Sequence, residues 1–99
     1  MSNGGNKSEN RILIRELTIR NKLGLHARPA ALFVKAASRF VSDITVKRSG
    51  NTVSGKSIMG LMTLEAGMGA TLVLTAEGPD ADAALEELQR LVDSKFFEG

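Results

Sequence analysis

Two residues able to handle phosphate stand close together in this chain: His26, its only histidine, and Arg28. They lie in the run Gly24-Leu25-His26-Ala27-Arg28-Pro29-Ala30, where a loop gives way to a helix. Pro29 suits a first helical turn, and an alanine-rich stretch with apolar periodicity follows from Ala30 to Ala37. A helix start carries unsatisfied backbone N–H groups and a partial positive charge, so histidine and arginine there suit a phosphoryl group. A neutral imidazole is also a usable nucleophile near neutral pH. Taken singly, the histidine is more often a surface residue or a cap than a nucleophile, and Arg28 more often a solvated charge. Their joint spacing carries the inference.

The elements that must position this pair follow from periodicity. Arg11 to Arg20 reads as a first strand, with Ile12 and Ile14 in one alternating phase and Leu17 and Ile19 in the other, leaving room for a bulge between them. Asn21-Lys22-Leu23-Gly24 supplies turn chemistry, and the helix beyond His26 sets Ala30, Phe33, Val34, Ala37 and Val41 near one face. Asp43 to Arg48 alternates around Ile44 and Val46. Ser49-Gly50-Asn51 then turns into a short strand around Thr52 to Ser54, completing a hairpin.

Ser57 precedes the run Ile58 to Leu64, too rich in Met and Leu to favour a strand, so a short helix capped by Ser57 and closed by Gly67 is expected. Of its apolar residues, Met59 is predicted to be partly exposed and Leu61 or Met62 buried. Thr71 to Thr75 alternates again, and Pro79-Asp80 opens a last helix with Ala83, Ala84, Leu85, Leu88, Leu91 and Val92 at helical spacing. The order βαββαβα implies an α+β fold, an open-faced β-sandwich with a four-stranded, mainly antiparallel sheet and three helices on one face.

At 99 residues the chain is the size of a single domain, expected over 11–99, with 1–10 expected to be a polar, disordered leader or an expression remnant. No cysteine and a single histidine argue against metal or disulfide chemistry, and no cofactor is implied. No apolar run is long enough for membrane insertion, and a cytoplasmic location is expected. Charge is lopsided: residues 1–56 hold eleven Lys/Arg against three Asp/Glu, and residues 57–99 hold two against eight. If the fold clusters Arg20, Lys22, Arg28, Lys35 and Arg39, they would attract an anionic ligand or an acidic partner surface.

Gly24-Leu25-His26-Ala27-Arg28-Pro29-Ala30, together with Lys56-Ser57-Ile58-Met59-Gly60-Leu61-Met62, closely resembles the HPr family of bacterial phosphocarriers over roughly residues 12–95. The resemblance implies a stoichiometric carrier rather than an enzyme. Its histidine, matched by His26, takes a phosphoryl group on Nδ1 from enzyme I of the phosphoenolpyruvate:sugar phosphotransferase system and passes it to EIIA domains. Arg28 matches the family's phosphate-binding arginine and Pro29 the proline opening the helix. Ser57 matches the position phosphorylated in many members by an HPr kinase/phosphorylase, which links them to transcriptional regulators. Partners are expected to dock on an apolar patch beside the histidine, with Leu25, Ala27 and Met59 in it, and the protein is expected to be a monomer.

The run Asn21 to Ala30 and the tail Ser94-Lys95-Phe96-Phe97-Glu98-Gly99 also look like the nitrogen-related paralogue NPr, whereas the serine context looks like sugar-system HPr. The pathway therefore stays open between the two. A regulatory module switched at Ser57 is the second functional class. An RNA-binding α+β domain, suggested by the basic first half, is disfavoured because the chain has no Tyr or Trp for base stacking, and no nucleic-acid partner is expected.

Overall fold

The computed structural model describes residues 11–98. The expected leader, residues 1–10, lies outside them. The elements run β1 (Ile12–Thr18), α1 (Ala27–Ala37), β2 (Asp43–Arg48), β3 (Asn51–Ser54), α2 (Ile58–Thr63), β4 (Thr71–Glu77) and α3 (Ala81–Asp93), followed by a 3-10 turn at Lys95–Phe97. The sheet order is β1-β4-β2-β3, and every neighbouring pair is antiparallel. The expected fold class stands, with a sheet antiparallel throughout.

One face of the sheet is closed. Leu17, Ile44, Val46, Leu72, Leu74 and Ala76 are buried on it, against Ala30, Phe33 and Ala37 of α1, Leu61 of α2, and Ala84, Leu85 and Leu88 of α3. At its margin Arg15 reaches across to α3, where Nη1 donates to Gln89 Oε1 at 2.8 Å. The β2–β3 hairpin turns through Ser49 and Gly50, which have φ of 51° and 89°. Positive φ at both central residues marks the primed turn that matches strand twist.

Four sequence expectations need correction. β1 pairs with β4 residue for residue from Ile12↔Glu77 to Thr18↔Thr71, so it has no bulge. Its inward phase is the half-buried Leu13 and the buried Leu17, continued by Ile19 just beyond the strand, while Ile12 and Ile14 lie on the open face, Ile14 67 % exposed. Val41 falls beyond the end of α1 and is exposed, and Ala83 points away from the core, Ala81 taking the expected place. α2 ends at Thr63, capped by Leu64, rather than running to Gly67, and Glu65 adopts a left-handed backbone with φ of 51°. That position usually favours glycine. Here Arg48 Nη1 donates to the Leu64 carbonyl at 3.0 Å and Ala66 O accepts from Leu25 N at 2.8 Å, fixing the chain on both sides of Glu65.

Asp80 has more to do than favour the start of α3. Its carboxylate accepts hydrogen bonds from Val41 N at 3.0 Å, Ser42 N at 3.0 Å and the Ser42 hydroxyl, tying the helix to the loop before β2. The Ser42 hydroxyl is the main cause that lowers the Asp80 carboxyl below its ordinary value, helped by the backbone donors and opposed by desolvation. A carboxyl lowered on folding adds stability above its unfolded pKa and loses it as pH falls through the folded value. Asp80→Asn is therefore expected to cost on the order of 1 kcal/mol near neutral pH. The gap to wild type should shrink below about pH 4, read by urea unfolding at both pH values.

Candidate functional site

His26 is the N-cap of α1, with extended backbone (φ −82°, ψ −170°), and its carbonyl accepts from Ala30 N at 2.9 Å. Its side chain makes no capping hydrogen bond, which leaves the imidazole available for other work. Pro29 sits third in the helix rather than opening it, and is buried. It costs the helix little there, because early N–H groups have no intrahelical partner. Arg28 is exposed on the same turn and, among the described residues, makes no ion pair or side-chain hydrogen bond.

The loop that seats His26 is pinned from two sides. Gly24 has φ of +74° and lies so close to Ala66 O that a Cβ would collide with it. Asn21, buried, donates from Nδ2 to Gly24 O at 2.7 Å, and Leu25 N donates to Ala66 O at 2.8 Å. The segment after α2 is thereby joined to the segment before α1. Leu23, Leu25, His26, Met62, Glu65, Ala66 and Gly67 line a shallow depression of about 280 Å³ at this junction.

The third member of the site lies outside both sequence motifs. Glu98, at the other end of the chain, places Oε2 3.1 Å from His26 Nε2 and Oε1 3.4 Å from Asn21 Nδ2. The side chains of His26 and Glu98 are 39 % and 24 % exposed, so the pair lies at the surface yet is partly screened from water. Nε2 is the ring nitrogen that faces a carboxylate, and Nδ1 takes part in no hydrogen bond among the described residues.

The tail reaches this place through Lys95, Phe96 and Phe97, whose φ values of 59°, 53° and 62° are all left-handed. Such backbone costs roughly 1–2 kcal/mol per residue. Burying the Phe96 ring returns roughly 2–3 kcal/mol. The signal in the sequence was the Phe96-Phe97 pair after the last helix, an apolar anchor beyond the helical pattern.

Ser57 caps α2 as expected, its Oγ accepting from Gly60 N at 2.9 Å. Ser57→Ala should lower stability by about 1 kcal/mol, read as a shift of the denaturant midpoint at unchanged slope. Met59 is 74 % exposed and Leu61 is fully buried, both as expected, while Met62 is partly exposed. Ala27 is exposed, but Leu25, expected on the docking surface, is 4 % exposed and belongs to the core. It fills the interior because its N–H is tied to Ala66. Leu23, Ile58 and Met68 are exposed apolar residues that the sequence reading had not singled out.

The expected basic cluster is only partly free. Arg39 pairs with Glu87 at 2.9 Å, and Arg20 approaches Asp93 at 3.9 Å, so the acidic α3 offsets part of the basic half. Among the described residues no group of three His, Asp or Glu could hold a metal ion, and no helix is long and apolar enough to cross a membrane.

Residues 13–94 match the family model described as the PTS HPr component phosphorylation site. The chain belongs to the HPr family. It is 47% identical to the phosphocarrier protein HPr of Cupriavidus necator over 88 residues, covering 89% of this chain and 99% of that one. It is 49% identical to the phosphocarrier protein NPr of Shewanella violacea over 86 residues, covering 87% and 94%. The crystal structure of HPr-C-His from Thermoanaerobacter tengcongensis superposes with a TM-score of 0.85 at 47% identity, covering 88% of this chain and 98% of that one. The open-faced sandwich and the phosphocarrier class expected of an HPr-like chain are those of the family, and relatives named HPr and NPr match it to nearly the same degree.

Proposed function

We propose that this HPr-family chain carries a phosphoryl group on His26, accepting it from enzyme I and passing it to an EIIA domain of the sugar phosphotransferase system. The observation that carries this reading is the placement of His26. Its imidazole stands at the first turn of α1 without a capping bond, and Glu98 engages Nε2, so Nδ1 is the nitrogen with a free lone pair. Arg28 on the same turn offers a planar donor fork for the phosphoryl oxygens. Free N–H groups of the helix start add to it. Ala27 and Met59 furnish part of the exposed surface on which partners would dock, and the methionines suit a face that must fit several of them.

Incubation with phosphoenolpyruvate and enzyme I should yield acid-labile, base-stable phosphate on the chain, as a phosphoramidate requires. Acid-stable phosphate, or none, would overturn the reading. The same assay run in parallel with a nitrogen-branch enzyme I decides between the sugar role and an NPr-type role by which donor reacts faster.

A second reading, regulation at Ser57 by an HPr kinase/phosphorylase, is favoured by the position of that hydroxyl at the N-cap of α2, beside the exposed Ile58 and Met59. A phosphate there would sit comfortably at a helix start while placing negative charge beside the apolar face. Its expected effect is on partner binding, with the fold intact. ATP and the kinase should add phosphate at Ser57 by mass spectrometry, and an unmodified Ser57 contradicts the switch.

A further inference from the structure

We infer that Glu98 is a positioning residue for phosphoryl transfer: it holds the imidazole of His26 in the Nε2–H form, so that Nδ1 is the nucleophile on the way in and a neutral leaving group on the way out. The inference rests on the phosphocarrier reading of His26 and deepens it. Three observations place the carboxylate. Its Oε2 is 3.1 Å from His26 Nε2, and its Oε1 is 3.4 Å from Nδ2 of the buried Asn21. Asn21 Nδ2 also donates to Gly24 O at 2.7 Å, so the residue that steadies Glu98 also steadies the loop carrying His26. The backbone behind Glu98 runs through three left-handed residues, a path the chain keeps while Phe96 is buried in the core and Glu98 N donates to Lys95 O at 3.0 Å.

The chemistry needs the proton where Glu98 holds it. On acceptance, the Nδ1 lone pair forms a bond to phosphorus as the bond from phosphorus to the donor breaks, and the donor leaves with that electron pair. The ring now bears Nδ1–P and Nε2–H together and carries a positive charge, which the facing carboxylate offsets. On donation, the acceptor's nucleophile bonds to phosphorus, the Nδ1–P electron pair returns to Nδ1, and a neutral imidazole is left with Nε2–H still in place. No proton crosses the ring in either step. Were Nε2 bare, the leaving group would be an imidazolate anion, and were the proton on Nδ1, there would be no lone pair there to attack.

The test uses the full chain and two readouts. The first is the nitrogen chemical shifts of the neutral His26 imidazole in the unphosphorylated protein, which report the tautomer without any phosphotransfer. The second is the rate at which the phosphorylated chain passes its phosphate to an EIIA domain. Wild type should show the Nε2–H form predominating. Glu98→Ala should lose that preference and donate about tenfold more slowly. Glu98→Gln, which keeps an acceptor oxygen without the charge, should fall between them in both.

Glu98→Ala with wild-type tautomer and rate overturns the inference. So does a slowed rate with the tautomer unchanged, because Glu98 would then act on partner contact or tail packing instead. Failure of the wild-type chain to take up phosphate at all is a different outcome, the failure of the carrier reading, and leaves the tautomer measurement to judge Glu98 by itself.

Discussion

A His26→Ala chain is expected to fold with stability within about 0.5 kcal/mol of wild type and to take up no phosphate from enzyme I. Both halves follow from the site. The imidazole is partly exposed, makes no capping bond and, among the described residues, has Glu98 as its side-chain hydrogen-bond partner, so its removal opens no buried cavity. The backbone carbonyl of residue 26 still accepts from Ala30 N, so α1 keeps its first turn. The chemistry, by contrast, has no substitute, because the chain holds no second histidine and no cysteine. Loss of labelling with an unchanged unfolding midpoint separates the nucleophile from the scaffold. Retained acid-labile phosphate in the variant would place the acceptor elsewhere.

Gly24→Ala is expected to do the opposite, damaging the scaffold first. At φ of +74° the new side chain pays the left-handed penalty, and its Cβ is driven into Ala66 O and the Cα of Gly67. These are backbone atoms that cannot step aside as a flexible side chain would. The two costs together come to roughly 3 kcal/mol, a large fraction of the stability of a domain this size. The Leu25 N to Ala66 O hydrogen bond is the first to be lost, and it holds the residue next to His26. Phosphate uptake should therefore fall along with the denaturant midpoint, whereas Gly67→Ala, with open space around the added Cβ, should change neither by a comparable amount.

How much of this was legible in the sequence depends on the range of the forces involved. α1 and α3 could be read because their buried faces recur at helical spacing, and the β2–β3 hairpin because Ser49-Gly50-Asn51 supplies turn residues after the alternating run of β2. The phase of β1 is not legible in the same way. An open-faced sheet leaves one side to solvent, so Ile12 and Ile14 are tolerated there, and alternation alone does not say which phase meets the helices. The end of α2 was misplaced because Arg48 and Leu25, distant in sequence, hold the segment that lets Glu65 take a glycine-like conformation.

The candidate site divides in the same way. His26, Arg28 and Ser57 stand in local motifs, and the helix starts that present them are local features, so both were available in the sequence. Glu98 is separated from His26 by 72 residues and reaches it through a turn of left-handed backbone that no propensity favours. Leu25 shows the limit from the other side: a residue adjacent to the histidine faces inward because its N–H is bonded across the loop.

The most direct measurement on His26 is the nitrogen–phosphorus coupling in the isotopically labelled phosphorylated chain. Phosphate is expected on Nδ1 of His26, with Nε2 still carrying its proton toward Glu98. Phosphate on Nε2, or on any other residue, would contradict that placement.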